Sequence, residues 1–196
     1  MTILFVCSGN TCRSPLAVAA WRSLDDAGAS QSEASQGETV GEAATAIEVA
    51  SAGLAAGHGS AATRYAQQIA HRWKVDLSAH RSRLLRQRLA RESDLIVAMT
   101  QEQAQSVCAQ FGLPSHRVRV LGEFADHRVL ESPSPHSEER RLAALLNEET
   151  AFENGDAHDI DDPFGASLEA YESCAARIRL SVKGLRRALR EGEVAL

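Results

Sequence analysis

The sequence predicts a doubly wound α/β domain: a four-stranded parallel sheet with helices on both faces and an anion-holding loop after the first strand. Three observations predict it. Short β-branched and apolar runs alternate with stretches carrying apolar residues at three- and four-residue spacing. The run Asp94-Leu95-Ile96-Val97-Ala98-Met99-Thr100 is apolar without alternation, as expected of a strand covered on both sides. A glycine-bearing loop of small residues joins the first run to a Ser-Pro helix start. Right-handed crossovers would gather the strand ends along one edge of such a sheet.

The chain is long enough, at 196 residues, for one domain, and 44% hydrophobic content gives it a core to bury. Aromatic residues make up only 5%, so aliphatic side chains and alanine must fill that core. A net charge of −5 argues against a general nucleic-acid binder, which needs a basic footprint. No leading segment resembles a secretory signal, and no apolar stretch is long enough to span a membrane. Four cysteines without paired metal spacing, in a chain lacking export features, point to a reducing cytoplasm.

The elements follow in order. Thr2–Val6 is a short strand. A helix from about Pro15 to Asp26 carries Leu16, Ala20, Trp21 and Leu24 on one face. Residues 29–45 lack periodicity and read as a surface insertion. Ile47-Glu48-Val49 alternates as a strand and leads into Ser51-Ala52-Gly53. A helix is expected from about Ser60 to Trp73, with Tyr65, Ile69 and Trp73 on one face. A further helical pattern spans Leu77 to Arg91 through Leu84, Leu85 and Leu89; its arginines, Arg81, Arg83, Arg86, Arg88 and Arg91, suit a solvated face. A helix from Glu102 to Phe111 and a strand over Arg117–Leu121 complete the sheet. A second insertion covers 126–158, with a short helix expected over Glu138 to Glu149 presenting Leu142, Leu145 and Leu146. It could edge the active site or simply elaborate the surface. The last helix, Ser167 to about Arg190, shows a core stripe through Leu168, Tyr171, Ala175, Ile178, Val182, Leu185 and Leu189. Cys174 and Cys108 should pack in their helices and stay inert.

The chemistry concentrates in Cys7-Ser8-Gly9-Asn10-Thr11-Cys12-Arg13-Ser14-Pro15. Gly9, and Asn10 with its tolerance of the left-handed region, let successive N–H groups converge on one point. Such a nest binds anions, and the helix start adds its positive dipole end. Arg13 can clamp two phosphate oxygens with its planar fork. Cys7 lies beneath that positive pocket, where the thiolate is favoured and is poised for in-line attack on phosphorus. A lone cysteine in an apolar strand is ordinarily a buried small hydrophobe, and Cys-x5-Arg occurs by chance. The strand before the loop, the glycine within and the Ser-Pro after favour chemistry. Ser14 can hydrogen-bond the sulfur, and Asn10 braces the loop.

These nine residues resemble the phosphate loop of the low-molecular-weight protein tyrosine phosphatase family. The resemblance implies a cysteine nucleophile, an arginine holding the phosphoryl oxygens and an Asp-Pro acid near the C-terminus. Asp162-Pro163 is the one Asp-Pro pair and precedes the last helix; Pro163 restricts Asp162 to extended geometry. Asp162 is therefore expected to be the proton donor, ahead of Asp159 and Asp161. The expected site comprises Cys7, Arg13 and Asp162, with Ser8, Gly9, Asn10, Thr11, Cys12, Arg13 and Ser14 around the phosphate. Thr11 resembles the protein-arginine phosphatase branch, whereas tyrosine-directed members generally carry an apolar residue there. Phe164-Gly165 points the same way, since tyrosine-directed members often carry tyrosines after Asp-Pro. Thr11 and Phe164 are thus the expected specificity residues, and a phosphorylated protein the partner, with phosphoarginine favoured over phosphotyrosine. No metal or other cofactor is called for. Cys12, five residues from Cys7, is either a redox partner forming a reversible disulfide or a cysteine that only packs. The rivals are an arsenate reductase, which would need a further cysteine relay, and a phosphoprotein-binding module.

Overall fold

The computed structural model describes residues 1–29, 47–125 and 155–190. Four parallel strands form one sheet in the order β2-β1-β3-β4: β1 is Thr2–Cys7, β2 Glu48–Gly53, β3 Leu95–Ala98 and β4 Val118–Val120. Helices α1 (Arg13–Ala29), α2 (Arg64–Arg72), α3 (Gln87–Glu92), α4 (Gln101–Phe111) and α5 (Leu168–Arg190) connect and cover them. The two expected insertions, including the helix over 138–149, lie outside the described residues, apart from their margins.

Strand pleating explains how β1 serves two cores at once. Ile3, Phe5 and Cys7 join α1, α2 and α5 in one buried cluster around Trp21, Leu16, Ile178 and Leu185. Leu4 and Val6 point the other way, toward Ala90 of α3 and Ala104, Val107 and Phe111 of α4. With both faces covered, β1 and β3 need no polar side, which accounts for their unbroken apolar runs. Arg186 of α5 closes the α1 layer: Nη1 donates to the Trp21 carbonyl at 2.6 Å and the guanidinium lies 4.9 Å from the indole centroid.

Strand β1 pairs with β2 from Thr2↔Glu48 to Cys7↔Gly53, and with β3 from Ile3↔Leu95 to Val6↔Ala98. The chain winds outward from β1 in both directions, so the sheet reverses its order beside β1. The end of β1, and with it Cys7, opens at that switch point, where doubly wound sheets hold ligands.

Two expected helices shorten. The first half of Leu77 to Arg91 is not helical; only Gln87–Glu92 is. Residues 83–85 run beside the end of β2 instead: Gly53 N–H donates to the Arg83 carbonyl at 3.0 Å and Leu85 N–H to that of Gly53 at 2.8 Å. Bonding to the sheet edge outcompetes the leucine periodicity, leaving Leu84 40% exposed and Leu85 buried. Arg81 and Arg83 accordingly do not share a helix face: each donates to main-chain carbonyls, Arg81 to Ser78 and His80, Arg83 to Ser51. Helix α2 starts at Arg64, not near Ser60, because Ser60 and Thr63 are bonded to neighbouring segments. Helix α1 begins at Arg13, two residues before Pro15, and β2 continues through Gly53.

Candidate active site

The loop from Cys7 to Arg13 is held from outside by its carbonyls. Those of Cys7 and Ser8 accept from Leu54 and Ala55 N–H, each at 2.9 Å. That of Asn10 lies 2.7 Å from His80 Nε2, and that of Thr11 accepts from Thr63 N–H at 2.9 Å. Leu16 N–H takes the Cys12 carbonyl at 3.1 Å. A trans peptide points the next N–H opposite each C=O. The amides of Ser8, Gly9, Thr11, Cys12 and Arg13 therefore face away from those anchors, to the concave side. Outward anchoring of carbonyls is what builds a cup of donors.

Asn10 is the hinge of that cup. It is wholly buried and left-handed, with φ 54°. Its Nδ2 donates to Ser14 Oγ at 2.9 Å and Ser51 Oγ at 3.0 Å, and its Oδ1 accepts from Arg83 N–H at 3.0 Å. Its own N–H reaches Cys7 Sγ at 3.3 Å. Ser14 Oγ lies 3.0 Å from the same sulfur. Ser14 Oγ accepts from Asn10 Nδ2, and its own hydrogen has two neighbours, the sulfur and the Ala52 carbonyl at 3.4 Å. The sulfur thus has two hydrogen-bonding neighbours, the Asn10 N–H and the Ser14 hydroxyl. Gly9 itself has no left-handed backbone, so the conformational demand falls on Asn10.

Arg13 is 3% exposed and bridges the two ends of the chain. Nη1 donates to the Ile160 carbonyl at 3.0 Å, and Nη2 pairs with Asp162 Oδ2. The buried Nε has no partner among the described residues. A buried donor left unmade costs about 1–3 kcal/mol, so this one stands out in a site otherwise satisfied. The Asp162 side chain is 44% exposed and Oδ1 accepts from Phe164 N–H at 3.2 Å.

Around this cup lies a cavity of about 520 Å³. It is lined by Cys7, Ser8, Gly9, Thr11 and Cys12 of the loop, by Asp162 and Phe164, and by the small residues Ala55, Gly57, Ser60, Ala61 and Thr63. Phe164 is the single aromatic of that lining and is 69% exposed. Cys12 Sγ is buried 3.1 Å from the Tyr171 hydroxyl and 3.5 Å from that of Thr63. Burial, and then the bond to Cys12, push the Tyr171 phenol up to about 12. Burial likewise pushes the Cys174 thiol up to about 12 and raises that of Cys108. Among the described residues no cluster of His, Cys, Asp and Glu could hold a metal ion, and no helix is long and apolar enough to cross a membrane.

The family model for low molecular weight phosphotyrosine protein phosphatase matches residues 2–149. The chain belongs to that family. It is 26% identical over 191 residues to the protein-arginine-phosphatase of Bacillus subtilis (strain 168), covering 97% of this chain and 98% of that one. It is 27% identical over 178 residues to the low molecular weight protein-tyrosine-phosphatase PtpB of Staphylococcus epidermidis, with 91% of each covered. Among solved structures, the YwlE arginine phosphatase with its active-site cysteine replaced by a phosphorylated serine superposes with a TM-score of 0.68. That pair is 26% identical, with 97% of each chain covered. The protein is thus a low-molecular-weight cysteine-type protein phosphatase, a family acting on phosphorylated proteins.

The phosphatase places Cys7, Thr11, Asp162 and Phe164 around one cleft, with Arg13 buried and paired to Asp162. Sequence reasoning missed Ser51 and His80, which brace Asn10 from β2 and from the irregular segment after α2. Ser51 belongs to the noted Ser-Ala-Gly triplet, a weak signal. His80 carries no local signal, because its role depends on a contact 70 residues away.

Proposed function

We propose that this phosphatase removes the phosphoryl group from protein phosphoarginine. Cys7 thiolate attacks phosphorus, the P–N bond breaks, and Asp162 delivers a proton to the departing guanidino nitrogen. Water then attacks the thiophosphate, returning a proton to Asp162 and releasing phosphate and the thiolate. Charge spread over the equatorial oxygens is met by the loop amides and by Arg13, whose unpartnered Nε is the donor free to receive it. As the dianion draws Arg13, the pairing between Arg13 Nη2 and Asp162 weakens and the acid is released toward the leaving group.

The observation that carries the substrate choice is the lining of the cleft. Thr11 offers a hydroxyl where a phosphotyrosine site wants an apolar wall, and the lining also includes the small residues Ala55, Gly57, Ser60 and Ala61. One exposed ring, Phe164, can stack on a planar guanidinium but cannot by itself enclose a phenol. The half-exposed Asp162 carboxyl also has an oxygen that can accept from a guanidino N–H before its proton is delivered. Phosphotyrosine is the second reading, supported by the similarity to PtpB. Cys12, on the same loop, supplies a second thiol for a reversible disulfide with Cys7 under peroxide, and inactivation that thiols fail to reverse would dismiss that bridge.

Peptides carrying phosphoarginine or phosphotyrosine decide between the two readings. Wild type should prefer phosphoarginine, Cys7→Ser should be inactive, and Thr11→Ile should shift preference toward aryl phosphates. Unchanged phosphoarginine turnover in Thr11→Ile would remove Thr11 from the specificity argument.

A further inference from the structure

We propose that Gln103 is a positioning residue that fixes the Ser8 hydroxyl as a hydrogen-bond donor to a phosphoryl oxygen of the substrate. The inference rests on the cleft above being the substrate site. Gln103 lies in the first turn of α4 and is 8% exposed. Its Oε1 accepts from Met99 N–H at 3.2 Å, and its Nε2 meets Ser8 Oγ at 3.1 Å. A main-chain N–H can only donate, so the Met99 contact decides which end of the amide is oxygen. The other end is then an NH₂, which can only donate as well. Ser8 Oγ must accept from it, and the serine hydrogen is forced to point elsewhere.

That hydrogen has no acceptor among the described residues: the bond from Gln103 is the only one the Ser8 side chain makes. Ser8 is exposed and lines the cleft directly after the nucleophile. Its carbonyl is tied to Ala55 N–H at 2.9 Å, so its backbone cannot swing away. Thr100 caps α4 by accepting from Gln103 N–H at 3.2 Å, which fixes the other anchor. A buried glutamine thus spans 95 residues of sequence to set the polarity of one hydroxyl. The strongest acceptors to enter the cleft are phosphoryl oxygens, and a bond to a charged acceptor exceeds a neutral one.

Gln103→Glu tests this by reversing the polarity with little change of shape. A carboxylate still accepts from Met99 N–H but cannot donate to Ser8, so the hydroxyl turns its hydrogen onto the glutamate and away from the cleft. With p-nitrophenyl phosphate and the full chain at neutral pH, Ser8→Ala and Gln103→Glu should each lower kcat/KM about tenfold or more. The double variant should be no worse than Ser8→Ala alone, because the hydroxyl to be reversed is gone. Ser8→Thr, which keeps a hydroxyl, should recover most of what Ser8→Ala loses and remain sensitive to Gln103→Glu. Melting temperatures measured alongside separate loss of fold from loss of the donor. Were Gln103→Glu equally damaging with or without Ser8, its charge alone would explain the loss and the proposal would fall. Unaltered turnover in Ser8→Ala would overturn it too. If wild type itself left p-nitrophenyl phosphate intact, the reading of the cleft would fail first, a result distinct from either.

Discussion

The glycine that the phosphate loop cannot do without is Gly53, at the end of β2. A Cβ there would lie 2.6 Å from the Ser8 carbonyl oxygen, 2.8 Å from Ala56 Cβ and 2.9 Å from the Asn10 nitrogen. Two of those three atoms belong to the main chain of the cup. Gly53 cannot retreat, because its N–H is bonded to Arg83 and its carbonyl to Leu85. Reaching an ordinary contact of 3.4 Å therefore means moving the loop by roughly 0.8 Å. Overpacking of this kind costs about 1–3 kcal/mol. In a domain of this size that lowers Tm by about 2–12 °C. A displacement near 1 Å at the reacting centre costs about 10²-fold in rate. Gly53→Ala should therefore lose far more kcat on an aryl phosphate, roughly 10²-fold, than its modest loss of Tm suggests. The comparison variant is Gly9→Ala, whose Cβ would meet only Thr11 Oγ1 at 3.5 Å and should leave Tm unchanged. A Gly53→Ala enzyme with kcat within twofold of wild type would refute the account of how β2 shapes the cup.

Other expectations follow from single contacts. Asp162→Asn should lower kcat by about 10²–10⁴-fold on substrates with poor leaving groups and much less on p-nitrophenyl phosphate; equal losses on both would argue against proton donation by Asp162. Asn10→Ala should destabilise by about 2–5 kcal/mol in urea unfolding, combining left-handed strain with orphaned partners at Ser14, Ser51 and Arg83. Asn10→Gly removes the strain and should recover the smaller part of that loss; full recovery would show that the hydrogen bonds contribute little. Iodoacetamide at pH 8 should leave Cys174 unmodified in the folded protein, because burial pushes its thiol up to about 12, and mass spectrometry of tryptic peptides reads the result.

The parts legible in the sequence are those whose cause is local. Strand β1, the loop and the start of α1 are contiguous, and their apolar run, left-handed asparagine and Ser-Pro are all short-range signals. The stripe of α5 was equally plain, since a helix of 23 residues repeats its face six times over. What failed was local reasoning about segments whose backbone is satisfied elsewhere. Leu84, Leu85 and Leu89 have helical spacing, yet residues 83–85 bond to Gly53, and a strand edge has no periodicity to announce it. His80, Ser51 and Gly53 belong to the same class. Each matters through contacts with a loop tens of residues away, and beyond the weak Ser-Ala-Gly signal nothing in its own neighbourhood marks it.

The dependence of the site on distant contacts converges on Arg13. Cup and acid loop come from opposite ends of the chain, 149 residues apart, and Asp162 sits on a half-exposed turn with no regular element to hold it. One buried guanidinium joins them: Nη1 on the Ile160 carbonyl, Nη2 on Asp162, Nε without a partner among the described residues. A lysine could supply the same charge but no planar fork with three directed donors. Under the proposed reaction, binding a phosphoryl group and positioning the acid are therefore one event at one side chain. An enzyme so arranged needs no separate device to tell the acid loop that substrate has arrived.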